Sequence, residues 1–358
     1  MYDITQLIVA FILSLIATLL LVYPIKEIAT KIGVIDIPNY RKVHKNPTPS
    51  LGGLAIFLGT IVGLLYIRPS HDAFLEISIG ALIIVLTGVL DDKYTIRPVL
   101  KLTGQIIAAA VIINAGLIIE KITLPFFGVV ELNFFSVAIT LIWIVGITNA
   151  INLIDGLDGL ASGVSTIALI SILIMAILDQ RILVIYLCIV LIGSNFGFLF
   201  HNFHPAKIYM GDTGSMFLGF SISVISILGL FKNVTLFSFI IPIIVLAVPI
   251  FDTLFAMVRR KLSGKKIMAP DKKHIHHQLL SAGFSHRTTV LIIYGFSVMF
   301  GALAIIFSNA SLTLLLFISF LLWFILHIFA EIVGIVGEGK KPVIQTTKKV
   351  FTKIRNKE

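Results

Sequence analysis

The sequence predicts an all-α integral membrane protein, and three observations carry that prediction. Of 358 residues, 58% are hydrophobic and only 13% charged, and the mean hydropathy is +1.04. Soluble domains run near 25% charged, which excludes an ordinary globular domain; disorder needs low hydrophobicity with high charge and is excluded more firmly. Apolar runs of about 20 residues recur along the whole chain, each long enough to cross a hydrocarbon core about 30 Å thick. Basic residues, finally, fall in alternate connections between those runs. The single cysteine, Cys188, allows neither an internal disulfide nor a Cys-rich zinc site.

Eleven spans are expected, near 4–25, 51–67, 76–90, 99–116, 134–150, 161–178, 182–200, 214–230, 234–257, 289–307 and 311–330. Helices are required, because lipid leaves backbone groups no outside partner and no barrel-like alternation is visible. The first run is about 22 residues long without a small-residue cleavage site after it, so it reads as a span and not a signal peptide. The connection 117–133 alternates apolar and polar residues around Pro125 and Gly128, which predicts a small hairpin. Residues 1–330 form one catalytic membrane domain, followed by a basic tail, 331–358, suited to anionic lipid. No internal repeat or low-complexity tract is present.

With the N-terminus outside and the C-terminus cytoplasmic, 24 of the 28 Lys and Arg residues fall inward or at an inward helix end. The exceptions are Arg68, Lys121, Arg181 and Lys232. That asymmetry satisfies the positive-inside rule, and the net charge of +10 then needs no nucleic acid to explain it.

Ionisable groups at membrane depth are costly, so they are functional suspects. They collect at inward helix ends. Asp91 and Asp92 close the third span. On their own they fit a solvated helix end, although carboxylates there oppose the helix dipole. Adjacent carboxylates also repel unless a cation joins them, and Mg²⁺, which takes few oxygen ligands from protein, suits that need. Asn149, Asn152, Asp155 and Asp158 follow at intervals of three, which would align neighbours on a helix face; Gly156 and Gly159 indicate instead that the helix stops. Four such groups at one boundary exceed what capping requires. Asp212, between Gly211 and Thr213, opens the eighth span and is a natural N-cap. Near it Asn202, His204, Lys207 and Tyr209 offer an amide, an imidazole, a cation and an aromatic face suited to a nucleotide.

Asp252 lies in the ninth span, and the loop after it carries Asp271, Lys272, Lys273, His274, His276 and His277. Zinc is disfavoured at these histidines because no thiolates accompany them and the nearby aspartates favour a hard cation. Binding phosphate oxygens beside Lys272, Lys273 and Arg287 is simpler. Arg259, Arg260 and Lys261 fit a topology anchor. The combination points to a charged, phosphate-rich substrate held with Mg²⁺, and a lipid as second substrate.

At these residues the chain resembles the polyprenyl-phosphate N-acetylhexosamine-1-phosphate transferases, glycosyltransferase family 4, which includes the phospho-MurNAc-pentapeptide translocase. The likeness runs from Arg41, Lys42, His44, Gly52 and Gly53 through Asp91-Asp92, NAINLIDGLDGL at 149–160 and NFHPAKIYMGDTGS at 202–215 to HIHH at 274–277. It is most similar to members that prime wall teichoic acid. The resemblance implies Mg²⁺-dependent transfer of GlcNAc-1-phosphate from UDP-GlcNAc to undecaprenyl phosphate, releasing UMP, with Mn²⁺ as a substitute ion. It implies a bacterial cell membrane and suggests a homodimer. Asp91, Asp92 and Asp212 match catalytic acidic positions and the metal set, Asp212 foremost. Asn152, Asp155 and Asp158 match substrate- and metal-region positions, and Asn202 and Tyr209 match positions that contact uracil; Lys207, His274, His276 and His277 are further candidates for substrate binding. Ile275 interrupts the three histidines of the peptide-bearing branch, which lowers the UDP-MurNAc-pentapeptide reading.

A lipid phosphate monoester is largely dianionic at pH 7, its second pKa being near 6, and needs no strong base. Single displacement is therefore favoured, with Asp91 or Asp92 positioning or deprotonating it; an aspartyl-phosphate intermediate is the competing scheme. Two other classes fit the sequence less well. A secondary transporter should show repeated halves and broken helices at the midplane. An intramembrane aspartyl protease would pair Asp252 or Asp91 with Asp212, but has no need of the 149–160 segment or the histidines.

Overall fold

The computed structural model describes residues 3–37, 47–124, 128–229, 240–262, 264, 274–308, 321 and 325. Arg41, Lys42, His44, Pro125, Lys232, Asp271, Lys272, Lys273, the basic tail and nearly all of the eleventh expected span lie outside them.

Helix α1 (Ile4–Lys31) starts where the Asp3 carboxylate accepts the Thr5 N–H at 2.9 Å, and its 28 residues overrun the expected span. A two-residue antiparallel pair, β1 (Ile35–Asp36) with β2 (Thr48–Pro49), leads into α2 (Gly52–Ile67). Helix α3 (Phe74–Tyr94) ends at left-handed Thr95, and Pro98 opens α4 (Pro98–Asn114) at the position where a missing N–H costs nothing. Strands β3 (Lys121–Leu124) and β4 (Gly128–Glu131) form the expected hairpin, with Gly128 at φ +72°. Helices α5 (Phe135–Ile154), α6 (Leu160–Leu178), α7 (Ile182–Asn202) and α8 (Gly211–Gly229) follow closely the predicted spans. Seven described helices are long and apolar enough to cross a membrane, and α2 and α4 are shorter apolar helices. The protein is a multi-pass membrane protein.

The ninth span departs from expectation. It is broken at Leu246 into α9 (Ile240–Val245) and α10 (Ala247–Leu262), and it runs five residues past 257. Pro249 explains the break: it has no N–H to return to the Val245 carbonyl four residues earlier. A broken helix, expected to be absent, is therefore present, yet the chemistry-bearing residues do not gather at the break. Arg259 and Arg260 near the end of α10 are buried and not solvated. Short α11 (Ile275–Ser281) and long α12 (His286–Ser308) complete the described fold.

Helix α8 sits at the centre, packed by α5, α3, α2 and α6, while α1 lies against α7 and α2. Lipid removes most of the hydrophobic drive between helices, so close backbone approach and interhelical hydrogen bonds decide the packing. Trp143 on α5 donates to Ser226 Oγ on α8 at 2.9 Å, and Thr60 on α2 meets Ser194 on α7 at 3.1 Å. A Cβ on Gly53 would run into the Gly214 backbone, and one on Gly88 into Thr213. Helices α2 and α3 thus approach the first turn of α8 at backbone distance, and that turn carries Asp212.

Candidate active site

Backbone contacts fix the start of α8 from two sides. Gly52 and Gly53 N–H groups, left over at the start of α2, donate to the Tyr209 and Met210 carbonyls at 2.9 and 2.8 Å. Asp92, from the end of α3, accepts the N–H groups of Asp212 (2.7 Å) and Thr213 (3.0 Å) and the Thr213 hydroxyl (2.6 Å). Asp92 is therefore the N-terminal cap of α8, supplied by another helix. Asp212, whose position suggested a cap, is released from that task.

The Asp212 carboxylate instead meets Lys101 Nζ at 2.6 Å and the Asn152 amide. Lys101, in the first turns of α4, also pairs with Asp91 Oδ2 at 2.9 Å and donates to Asn152 Oδ1 at 3.2 Å. One ammonium thus joins the acids of α3 and α8 with the amide of α5. The cluster is partly open: side-chain exposure is 9% for Asp91, 17% for Lys101 and 33% for Asp212. Sequence reading missed Lys101, counting it only among topology-setting charges. A signal was present, since a lysine near a helix N-terminus opposes the dipole and calls for nearby carboxylates.

Asn149 and Asn152 lie on α5, which stops at Ile154 as the glycines foretold. Asn149 donates to Gln105 on α4 at 2.7 Å, one turn below Asn152, and so ties α4 to α5 beside the cluster. Asp155, at the helix end, donates its N–H to the Asn152 carbonyl at 3.3 Å, but its carboxylate has no hydrogen-bonding partner among the described residues. Burial, and then the negative charges of Asp212, Asp92 and Asp158, push its carboxyl up to about 8. Asp91 and Asp212 therefore share one ammonium, and the Asp155 carboxylate beside them has none.

The turn after Asp155 is held rigidly. Gly159 takes φ +78°, donates its N–H to Asn202 Oδ1 at 3.0 Å and receives the Tyr294 hydroxyl at its carbonyl. Asn202 is buried, and its amide also donates to the Ile208 carbonyl at 2.9 Å, so both ends face protein. Asp158 accepts from the Ala206 N–H at 3.1 Å and meets His204 Nδ1 at 2.7 Å, and the His204 ring stacks on His286 at 4.1 Å. The ligand atoms of Asp158, His204 and His286 lie within 4.8 Å of one another, but stacked rings aim their lone pairs side by side, which suits packing better than chelation. Lys207 is exposed, and half-buried Tyr209 has its phenol pushed up to about 12 by burial and the nearby Asp158 charge. His274, His276 and His277 lie at the start of α11, and the His276 ring packs on Gly156 beside Asp155. Sequence-distant segments from α3, α4, α5, α8 and α11 thus converge on one end of the bundle.

The helical membrane bundle thus carries an under-neutralised oxygen cluster at one end. Residues 74–230 match the family described as "Glycosyl transferase family 4". The chain is 49% identical over 350 residues to the probable undecaprenyl-phosphate N-acetylglucosaminyl 1-phosphate transferase of Bacillus subtilis (strain 168), covering 96% of this chain and 97% of that protein. It is 34% identical to the decaprenyl-phosphate N-acetylglucosaminephosphotransferase of Mycobacterium tuberculosis (strain ATCC 25618 / H37Rv), with 80% and 79% of the two chains covered. To the undecaprenyl-phosphate alpha-N-acetylglucosaminyl 1-phosphate transferase of Pasteurella multocida (strain Pm70) it is 32% identical, covering 80% and 82%. The chain belongs to glycosyl transferase family 4 and is a membrane-embedded glycosyl phosphotransferase.

Proposed function

We propose that the protein transfers GlcNAc-1-phosphate from UDP-GlcNAc to undecaprenyl phosphate on the cytoplasmic face of a bacterial membrane, releasing UMP, as the first membrane step of wall teichoic acid synthesis. The observation that carries this reading is the sharing of Lys101 by Asp91 and Asp212 with Asp155 left unpaired. An oxygen-only donor set short of positive charge fits Mg²⁺. Asp212, with Asp91 and Asp155, would hold the ion, whose charge would offset that of a pyrophosphate. Asp92 supports the ion's site by fixing α8, since its oxygens are engaged there.

The chain's own residues then position two anions. Asp91 orients the lipid phosphate and accepts its residual proton. Lys101 holds Asp91 and Asp212 at a fixed separation and screens their repulsion. Exposed Lys207 is available to the nucleotide phosphates, Tyr209 supports the base, and His277 faces the donor with His276. A lipid-phosphate oxygen forms its bond to the sugar-bearing phosphorus as the bond to the UMP oxygen breaks, and UMP carries the leaving electron pair. The buried Asn202 amide shapes the site by tying the 159 and 208 backbones together.

Purified protein in detergent should release UMP from UDP-GlcNAc only when undecaprenyl phosphate and Mg²⁺ are both present. Turnover with UDP-MurNAc-pentapeptide in place of UDP-GlcNAc would move the donor assignment. Absence of lipid-dependent UMP release from every UDP-sugar tested would refute the reading.

A further inference from the structure

Among the described residues, Asp252 is the most deeply buried carboxylate outside the cluster described above, at 1% exposure on α10. A buried charge persists only when its oxygens find donors. Here both oxygens do. Oδ2 meets His274 Nδ1 at 2.8 Å, and Oδ1 accepts the Ile275 N–H at 2.8 Å. A carboxylate can only accept, so His274 carries a proton on Nδ1. His274 is the N-cap residue of α11 and makes no side-chain cap of its own. Asp252 supplies that cap from another helix, as Asp92 does for α8.

Ile275, which interrupts the histidines, is wholly buried and anchors the same turn. Its neighbour His276 is 2% exposed and stands parallel to the His274 ring, with centroids 5.9 Å apart and planes 6° from parallel. The His276 ring fills the space that a Cβ on Gly156 would need, next to Asp155. Its Nδ1 is buried with no hydrogen-bond partner among the described residues. Packing on Gly156, His274 and His277, together with the fastening of its helix, therefore sets where the ring sits.

We propose that Asp252 is a positioning residue: by capping α11 and fixing His274, it seats His276 against the Asp155–Gly159 turn. Its effect on turnover runs through His276, a consequence that rests on the transferase reading; the seating itself does not. Asp252→Asn keeps an acceptor for Ile275 but presents an amide N–H to His274, so the ring loses the acceptor of its Nδ1 proton and must change tautomer or move.

The seating is read by carbethoxylation of histidines with diethyl pyrocarbonate, located by peptide mass spectrometry. His276 should be protected in the unaltered protein and modified about tenfold faster in Asp252→Asn, at unchanged rates for His71. Turnover is read by a double-mutant cycle in kcat/KM for UDP-GlcNAc. Asp252→Asn should raise KM about tenfold, and Asp252→Asn/His276→Ala should lie within about twofold of His276→Ala alone. His274→Gln, which leaves the Asp252–Ile275 bond intact, should repeat both results and stands in if Asp252→Asn does not fold. Equal losses from Asp252→Asn in both backgrounds, or full protection of His276 in both variants, would overturn the proposal. Unaltered turnover by His276→Ala would remove its functional half while leaving the transferase reading intact. Loss of protection in a protein that releases no UMP would do the reverse.

Discussion

Two aspartate-based joints lie at the same end of the bundle and are built on opposite terms. At one, Asp252 is 1% exposed, its partner His274 is 6% exposed, and every carboxylate oxygen is matched. At the other, Asp91 and Asp212 divide a single lysine, remain partly open, and lie near an unpaired Asp155. A satisfied, buried acid fastens structure. Acids that outnumber their cation and reach solvent are poised to take up another cation. The adjacent pair at the end of α3 contains one of each kind: Asp92 is committed to the α8 backbone, whereas Asp91 faces Lys101.

The largest effects should come from the open joint. Asp212→Asn and Lys101→Met should each lower UMP release by about 10³-fold, the scale of removing one preorganised charge from a phosphoryl-transfer site. Asp212→Asn should lower the melting temperature only slightly, because Lys101 keeps Asp91 as a partner when the Asp212 charge is removed. Lys101→Met activity within tenfold of the unaltered protein would mean that the ammonium only stands in for a bound ion.

The Asp91–Asp92 pair sharpens the contrast within two adjacent residues. Asp92→Asn should destabilise the protein by about 1–2 kcal/mol, the usual worth of a helix cap, and lose activity with it. Asp91→Asn should lose activity at nearly unchanged thermal stability. Reversal of that order in a thermal-shift assay would show that the cap geometry at α8 is not what holds the site.

How far this division was readable in advance depended on whether the signal was local. The converging segments were legible because charged groups at span ends are conspicuous against lipid, and Gly156 with Gly159 announced the end of α5. The 117–133 hairpin was legible for the same reason, through Gly128 and alternating polarity. The role of Lys101 was not, because its partners Asp91 and Asp212 lie 10 and 111 positions away and only folding joins them. The exchange of roles between Asp92 and Asp212 was hidden likewise: Asp before a helix suggests a cap, but α3 approaches close enough to supply one first. Asn202 looked like a nucleotide contact and turned inward, since its neighbours on α6 and at Ile208 left backbone groups to satisfy.

A metal-linked pH dependence should come next in size. The Asp155 carboxyl, ordinarily near 3.8, is pushed up to about 8 by burial and its acidic neighbours. Between those values the native state holds a proton that the unfolded chain has released, so stability falls as pH rises through the interval. Mg²⁺ added at pH 8 should therefore raise the melting temperature more than Mg²⁺ added at pH 6. In EDTA, Asp155→Asn should reduce the downward slope between pH 5 and 8. An unchanged slope would place the missing charge elsewhere in the cluster.

The closed joint should show the smallest dependence, and with the opposite sign. Burial first, then the neighbouring His277, pushes the His276 imidazole down to about 3 from an ordinary 6.5. The unfolded chain then binds a proton that the native state refuses, so the associated stability is present above pH 6.5 and is lost as pH falls toward 3. The slope from one such group is at most about 1.4 kcal/mol per pH unit, and solvent reaching the ring on partial opening reduces it. His276→Gln should flatten the acid side of the stability profile between pH 6.5 and 5 while leaving the alkaline side, set by Asp155, in place. If both sides flatten together, the two joints are not independent, and the packing of His276 on Gly156 transmits protonation from one to the other.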